Sequence, residues 1–206
     1  MFARSTTVMA RPESVDDGIA YVRDEVMPAL LELAGCIGLS LMVDRQTGRC
    51  IATSAWDNAD AMAESADAAG RLRAQAGERF GGPATAEDWE IAVLHREHSS
   101  DPGAWVRATW VTVPPELTEA GVEYYRSAVL PQIEHLPGFR SASLLVDTTS
   151  GRAVSSVSFV SQEVMEHNRD YASTLKAESI RAAGASAVDE GEFELVIAHL
   201  RAPELV

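Results

Sequence analysis

Two histidines at corresponding strand ends, His95 and His199, are the duplicated side chains of this sequence that could move a proton near neutral pH. Each alternates with apolar neighbours, Ile91 and Val93 before the first and Leu195 and Ile197 before the second. That pattern also fits a hydrogen-bonded histidine on a buried strand face. A denser set lies in the C-terminal half, where Trp110, Tyr124, Tyr125 and Tyr171 accompany His167 and Asn168. Such aromatics could clamp a flat ring, ring pairs being worth about 0.5–1.5 kcal/mol beyond their area. His167 and Asn168 would then take a proton from the bound molecule or orient it. Helical spacing puts Asn168 on one line with Met165, Ala172 and Leu175, facing inward, and leaves His167 on the flank with Val164 and Tyr171. At the matching places the N-terminal half carries Ser65, Ala66 and Ala69, so the second half is the one expected to hold a ligand. His95 and His98 stand three apart at a strand end, a spacing that suits a metal on a helix better, so no metal site is expected. No phosphate loop, nucleophile elbow or zinc signature occurs.

These residues sit in a chain that repeats itself. A shift of 103 residues lays residues 2–8 (FARSTTV) on 105–111 (WVRATWV) and residues 31–49 on 134–152, and a further one-residue slip lays 89–95 (WEIAVLH) on 193–199 (FELVIAH). A period of that size marks a duplicated domain. The expected domains are residues 1–98 and 104–206, joined by a short polar linker, SSDPG, at 99–103.

Each half reads strand, helix, strand, turn, strand, helix, strand. Ser14 and Asp17 resemble a capping box ahead of Ile19, Val22, Val26 and Leu30 at helical spacing, and Pro28 and Pro131 are expected to kink the first helix of each half. Asp44 with Gly48, and Asp147 with Gly151, have the chemistry of tight hairpin turns, a structural reason for their duplication. The order βαββαβ is the ferredoxin-like unit, four antiparallel strands with helices on one face. The bare faces of two such units are best buried together. The fold class expected is therefore α+β, two ferredoxin-like repeats. Arg4 and Arg107, on strands expected to be largely buried, need acceptors, and the duplicated Glu90 and Glu194 are the partners expected.

With 31 acidic against 17 basic residues the net charge is −14, so nucleic acid is not an expected partner. The N-terminal residues lack the apolar core of a signal peptide and no run approaches a membrane span, so no membrane association and a cytoplasmic location are expected. Cys36 and Cys50 are expected as buried thiols.

A proline-glycine-aromatic step in residues 136–147 (LPGFRSASLLVD), a Gly-Arg hairpin and a tryptophan just ahead of the second helix in residues 55–62 (AWDNADAM) resemble the antibiotic biosynthesis monooxygenase-like family of the dimeric α/β-barrel superfamily. The resemblance implies that the fused repeats form an intramolecular dimeric α/β barrel with a pocket between sheet and helices. It also implies that Trp56 is the family's tryptophan, replaced by Phe159 in the second half. Where family members often carry a histidine, nine residues after that tryptophan, this chain has Ser65 and Asn168. Family activities include cofactor-free oxygenation of aromatic phenols and haem degradation. The first strands lack the asparagine of the haem-degrading branch, which leaves haem the weaker prospect.

Two functions follow as expectations. One is a cofactor-independent monooxygenase acting on an aromatic small molecule, using no metal, with Trp56, Trp110, Tyr124, Tyr125 and Tyr171 around the substrate and His167 and Asn168 as its catalytic pair. The other is a non-catalytic barrel that binds a small hydrophobic ligand or serves as a structural partner. The substrate, and whether the fused pair dimerises again, stay open at this point.

Overall fold

The computed structural model describes residues 1–97, 102–200 and 203–205. His98 and most of the linker at 99–103 lie outside the described residues. The first repeat runs β1 (Phe2–Met9), α1 (Val15–Tyr21), α2 (Met27–Leu31), β2 (Cys36–Val43), β3 (Arg49–Trp56), α3 (Ala59–Glu64), α4 (Ala66–Phe80) and β4 (Ala84–Arg96). The second runs β5 (Trp105–Thr112), α5 (Thr118–Tyr124), α6 (Leu130–Ile133), β6 (Phe139–Asp147), β7 (Arg152–Phe159), α7 (Gln162–His167), α8 (Arg169–Ala182) and β8 (Ser186–Leu200). Hydrogen bonding orders the strands β1-β3-β2-β8-β5-β7-β6-β4 in a closed barrel. The ferredoxin-like order is thus present twice, as β4-β1-β3-β2 and as β8-β5-β7-β6, and the α+β duplication read from the sequence is what the chain builds.

By contact the chain divides into two compact units, one holding Met1–Trp89 with the end of β8 from Leu195, the other holding Glu90–Glu194 with the residues from Pro203. In the first unit β3 pairs antiparallel with β1 and β2, Val8, Leu39, Leu41 and Trp56 meet Val22, Val26, Leu30 and Phe80 of the helices, and all eight are buried. In the second, β7 pairs antiparallel with β5 and β6, and Leu144, Val146 and Ala153 meet Tyr125, Val129, Ile133 and Leu175. Period-two burial of one sheet face against helical stripes gives both their cores.

The prolines interrupt the α-helical bonding of the first helix in each repeat. Pro28 and Pro131 cannot donate to the preceding turn, and ahead of each lies one π-helical turn, Val22–Val26 and Tyr125–Val129, in which Met27 N–H bonds Val22 C=O and Leu130 N–H bonds Tyr125 C=O. The capping box does not form. Pro12 opens a 3-10 turn over Pro12–Ser14, so Ser14 already has helical φ/ψ and its side chain caps nothing. In the hairpins Asp44 and Asp147 accept the backbone N–H groups of Gln46 and Thr47, and of Thr149 and Ser150, while Gly48 and Gly151 take φ of 79° and 73°. Cys36 and Cys50 are both free.

The second helix of each repeat is broken once, at Ser65 and at Asn168. Ser65 Oγ donates to Met62 C=O at 2.8 Å; Asn168 Nδ2 donates to Val164 C=O at 3.0 Å and to Pro137 C=O at 2.9 Å. The two positions at which the resemblance implies a histidine are joints in a helix.

Candidate functional site

Between the β5-β7-β6 sheet and the helices α5, α6 and α8 lies a cavity of about 170 Å³. The sheet contributes Arg107, Thr109 and Val111 from one face of β5, Ser155, Val157 and Phe159 from β7, and Leu144 and Val146 from β6. The helices contribute Tyr124, Tyr125, Val129 and Ile133, with Leu175, Lys176 and Ser179 of α8 on the far side. The matching space in the first repeat, lined by Arg4, Thr6, Val22, Ala52, Leu72 and Phe80 among others, is about 50 Å³, room for a water or two.

Three positions distinguish the two cavities, and the first of them enlarges the second cavity. Phe80 in the first repeat corresponds to Ala183 in the second, so a phenyl ring is missing there. Val22 corresponds to Tyr125, and Ala52 to Ser155, so the second cavity gains a polar pair: Tyr125 Oη and Ser155 Oγ lie 3.1 Å apart. Thr109 stands directly across the ladder from Ser155, which places three hydroxyls in one row.

Arg107 ends that row. Its Nε and Nη2 donate to Glu192 Oε1 at 3.0 and 2.9 Å, and Nη2 reaches Met165 C=O at 3.4 Å. Its third nitrogen, Nη1, is buried without a hydrogen-bond partner. The other oxygen of Glu192 accepts from Arg169 Nη2 at 2.9 Å, and Arg169, also paired with Glu166, is pushed further into its charged range by both carboxylates. The partner of Arg107 is thus Glu192, not Glu194. In the β5–β8 register Glu192 stands opposite Arg107 while Glu194 stands opposite Trp105, and the direct neighbour is the nearer one. Likewise Arg4 forms its ion pair with Asp88, at 2.6 and 2.8 Å, and not with Glu90.

Burial pushes the Tyr125 phenol up to about 12, against the smaller lowering by its bond with Ser155. At neutral pH it is a hydroxyl that donates or accepts and cannot act as an anion. The raised value also links to stability. Below about pH 10 both folded and unfolded chains hold this proton, and between about pH 10 and 12 the unfolded chain releases it first, so stability falls as pH rises through that window. A 295 nm titration should therefore show one of the four tyrosines ionising near pH 12. In Tyr125→Phe that late step should be missing; its persistence would place the buried phenol elsewhere.

Of the residues singled out from sequence, Tyr124 and Tyr125 line the cavity and the other five do not. Trp110 points to the opposite sheet face from Arg107, Thr109 and Val111 and meets Phe193 edge-on, ring centres 6.3 Å apart. Trp56 is fully buried in the first unit, its indole N–H donating to Ser54 Oγ at 3.0 Å. Tyr171 is half exposed, its hydroxyl 3.4 Å from Gln132 Oε1. His167 is exposed at the end of α7, and the amide of Asn168 is committed to two carbonyls. His95 stacks on Phe139 with its Nε2 3.4 Å from Glu134, and the His95–His98 pair cannot be placed because His98 lies outside the described residues. Among the described residues no cluster could hold a metal ion. Sequence reasoning missed Ser155, Ala183 and Gly121 as lining residues; aligning the repeats was the signal that could have found them.

Comparison with known proteins fits this architecture. No protein-family profile matches the chain. Over 206 residues, 100% of this chain and 92% of the relative, it is 60% identical to the uncharacterised protein Rv2557 of Mycobacterium tuberculosis (strain H37Rv). Among solved structures, an anthrone oxidase-like protein superimposes with a TM-score of 0.68 at 15% identity, covering 100% of this chain and 94% of that one. A protein of Lactobacillus acidophilus NCFM assigned as a monooxygenase gives 0.66 at 11% identity, covering 95% and 92%. A ferredoxin-fold protein of Listeria monocytogenes related to antibiotic biosynthesis monooxygenases gives 0.51 at 10% identity, covering 95% of each chain. The fold is that of the antibiotic biosynthesis monooxygenase-like group, as a tandem duplication in one chain. The chain belongs to the family of the mycobacterial protein Rv2557. Among the described residues no helix is long and apolar enough to cross a membrane.

Proposed function

We propose that this protein binds a small aromatic molecule carrying a hydroxyl or carbonyl oxygen in the cavity of its second repeat, and that its reaction is oxygenation of that molecule without a resident cofactor. The observation that carries the reading is the pairing of a cavity of about 170 Å³, mostly aliphatic, with one polar row of Arg107, Thr109, Ser155 and Tyr125. Aliphatic walls hold a ring and exclude water, and a few convergent polar groups fix its orientation. The buried Nη1 of Arg107 favours an ionised oxygen on the ligand. A phenolate or enolate is the form that can pass an electron to molecular oxygen. For an anthrone-like substrate the balance is simple: one oxygen atom becomes a carbonyl on the reacting carbon, and the other leaves as water with the two hydrogens that carbon bore.

A second reading, binding without turnover, is favoured by one observation. Among the described lining residues there is no histidine, and the Tyr125 phenol, held up near 12, cannot take a proton as a phenolate at neutral pH. Oxygen uptake separates the readings. A panel of phenols from naphthols to anthrones should bind, as seen by calorimetry, and at least one should consume oxygen in metal-free buffer; binding without uptake assigns the cavity to ligand carriage. In the same assay His167→Ala should leave ligand affinity unchanged, because that side chain is exposed outside the cavity. Asn168→Ala should lower stability by about 1–3 kcal/mol, because Pro137 C=O loses its donor while Val164 C=O keeps the backbone N–H of residue 168. Turnover lost in His167→Ala with binding intact would instead establish His167 as the proton acceptor.

A further inference from the structure

We infer that the ring of the ligand lies against Gly121 and Ala183, in the space that the Phe80 ring fills in the first repeat. The inference rests on the reading that the second cavity holds an aromatic molecule, and it adds which wall the ring takes and what shape of molecule fits.

The two repeats act as filled and unfilled copies of one site. In the first, Phe80 is 2% exposed and lies so close over Gly18 of α1 that a Cβ there would come within 2.2 Å of the ring. Gly18 is therefore a glycine because a planar ring rests on its backbone. Its counterpart in the second repeat is Gly121, and the counterpart of Phe80 is Ala183. Both line the cavity, and a Cβ built on Gly121 meets nothing within 4 Å. Helix propensity alone would favour alanine inside α5. The protein thus keeps the flat seat for a ring and omits the ring. One turn further along the same helix face stands Tyr125, so a ring seated on Gly121 also meets an aromatic neighbour, and any oxygen it bears can address the Tyr125–Ser155 hydroxyl pair. The seat suits a planar ring and disfavours a puckered one of equal size, since only a flat face can approach the bare backbone as Phe80 does.

The test compares 2-naphthol with its saturated counterpart 2-decalol, by calorimetry, on the full chain. Wild type should bind 2-naphthol more tightly by about tenfold or more. Gly121→Ala should melt no lower than wild type, alanine being the better helix former, yet lose about tenfold or more in 2-naphthol affinity. Gly70→Ala, where an added Cβ also meets nothing within 4 Å, is the control and should bind as wild type does. Undiminished naphthol binding by Gly121→Ala, or equal binding of the two alcohols, overturns the inference while leaving the proposed function standing. Failure of wild type to bind any aromatic probe overturns both.

Discussion

Phe80→Ala should cost the first unit about 3–5 kcal/mol and lower Tm by roughly 10 °C. The ring is 2% exposed, packs on Gly18 and joins the core formed by Val8, Val22, Val26 and Leu41. Removing it takes away both its buried area and the contacts of everything around it, and a close-packed interior closes only part of such a void. The void beside Val22 and Ala52 should be largely apolar, because these stand where the second repeat has Tyr125 and Ser155. It should therefore accept benzene, which would restore part of the lost Tm as its concentration rises. Urea denaturation with and without benzene checks both statements. A loss below about 1 kcal/mol would mean that Phe80 does not fill its cavity as described.

The reverse change, Ala183→Phe, should abolish ligand binding. A phenyl group at that position has the same seat available as Phe80, since Gly121 leaves the backbone bare and nothing lies within 4 Å of the missing Cβ. Filled from within, the cavity should shrink from about 170 Å³ toward the 50 Å³ of the first repeat. Affinity for 2-naphthol should fall by about a hundredfold or more, a loss of about 2.7 kcal/mol, while stability holds or rises because apolar area is buried without displacing a side chain. Calorimetry and thermal melting on one preparation suffice. Full affinity in Ala183→Phe would place the ligand elsewhere.

Much of the architecture is legible in the amino-acid sequence because it is written in periodicity and turns. The repeat, the Asp-Gly hairpins at 44–48 and 147–151 and the effect of Pro28 and Pro131 all have local causes, so the residues concerned identify themselves. The Ser14 cap misled because Pro12 starts the helical path two residues earlier, a backbone effect that outweighs a side-chain preference.

The site was harder to read because it consists largely of what is missing. Aromatic and polar residues stand out in a sequence, as Trp110, Tyr171, His167 and Asn168 do, and Trp56 stands out by the family resemblance. The structure finds them in the core, on the other sheet face, at the surface or at a helix joint. Strand alternation already held the clue for Trp110, since Arg107, Thr109 and Val111 share one face and exclude it. A cavity made by Gly121 and Ala183 has no such signature. Only the opposition of Phe80 and Ala183 in the aligned repeats points to it. The ion pairs failed for another reason: register decides between Glu192 and Glu194, which stand two residues apart on one strand face and fit the alternation equally well.

The central claim is that the second repeat holds an aromatic ligand in its sheet–helix cavity and the first does not. Anomalous diffraction from crystals soaked in 6-bromo-2-naphthol tests it most directly, because bromine marks the ligand's position independently of any assumed pose. The account predicts one bromine per chain, inside the cavity bounded by Gly121, Tyr125, Ser155 and Ala183. A bromine beside Phe80 in the first repeat, or only at the protein surface, would contradict it.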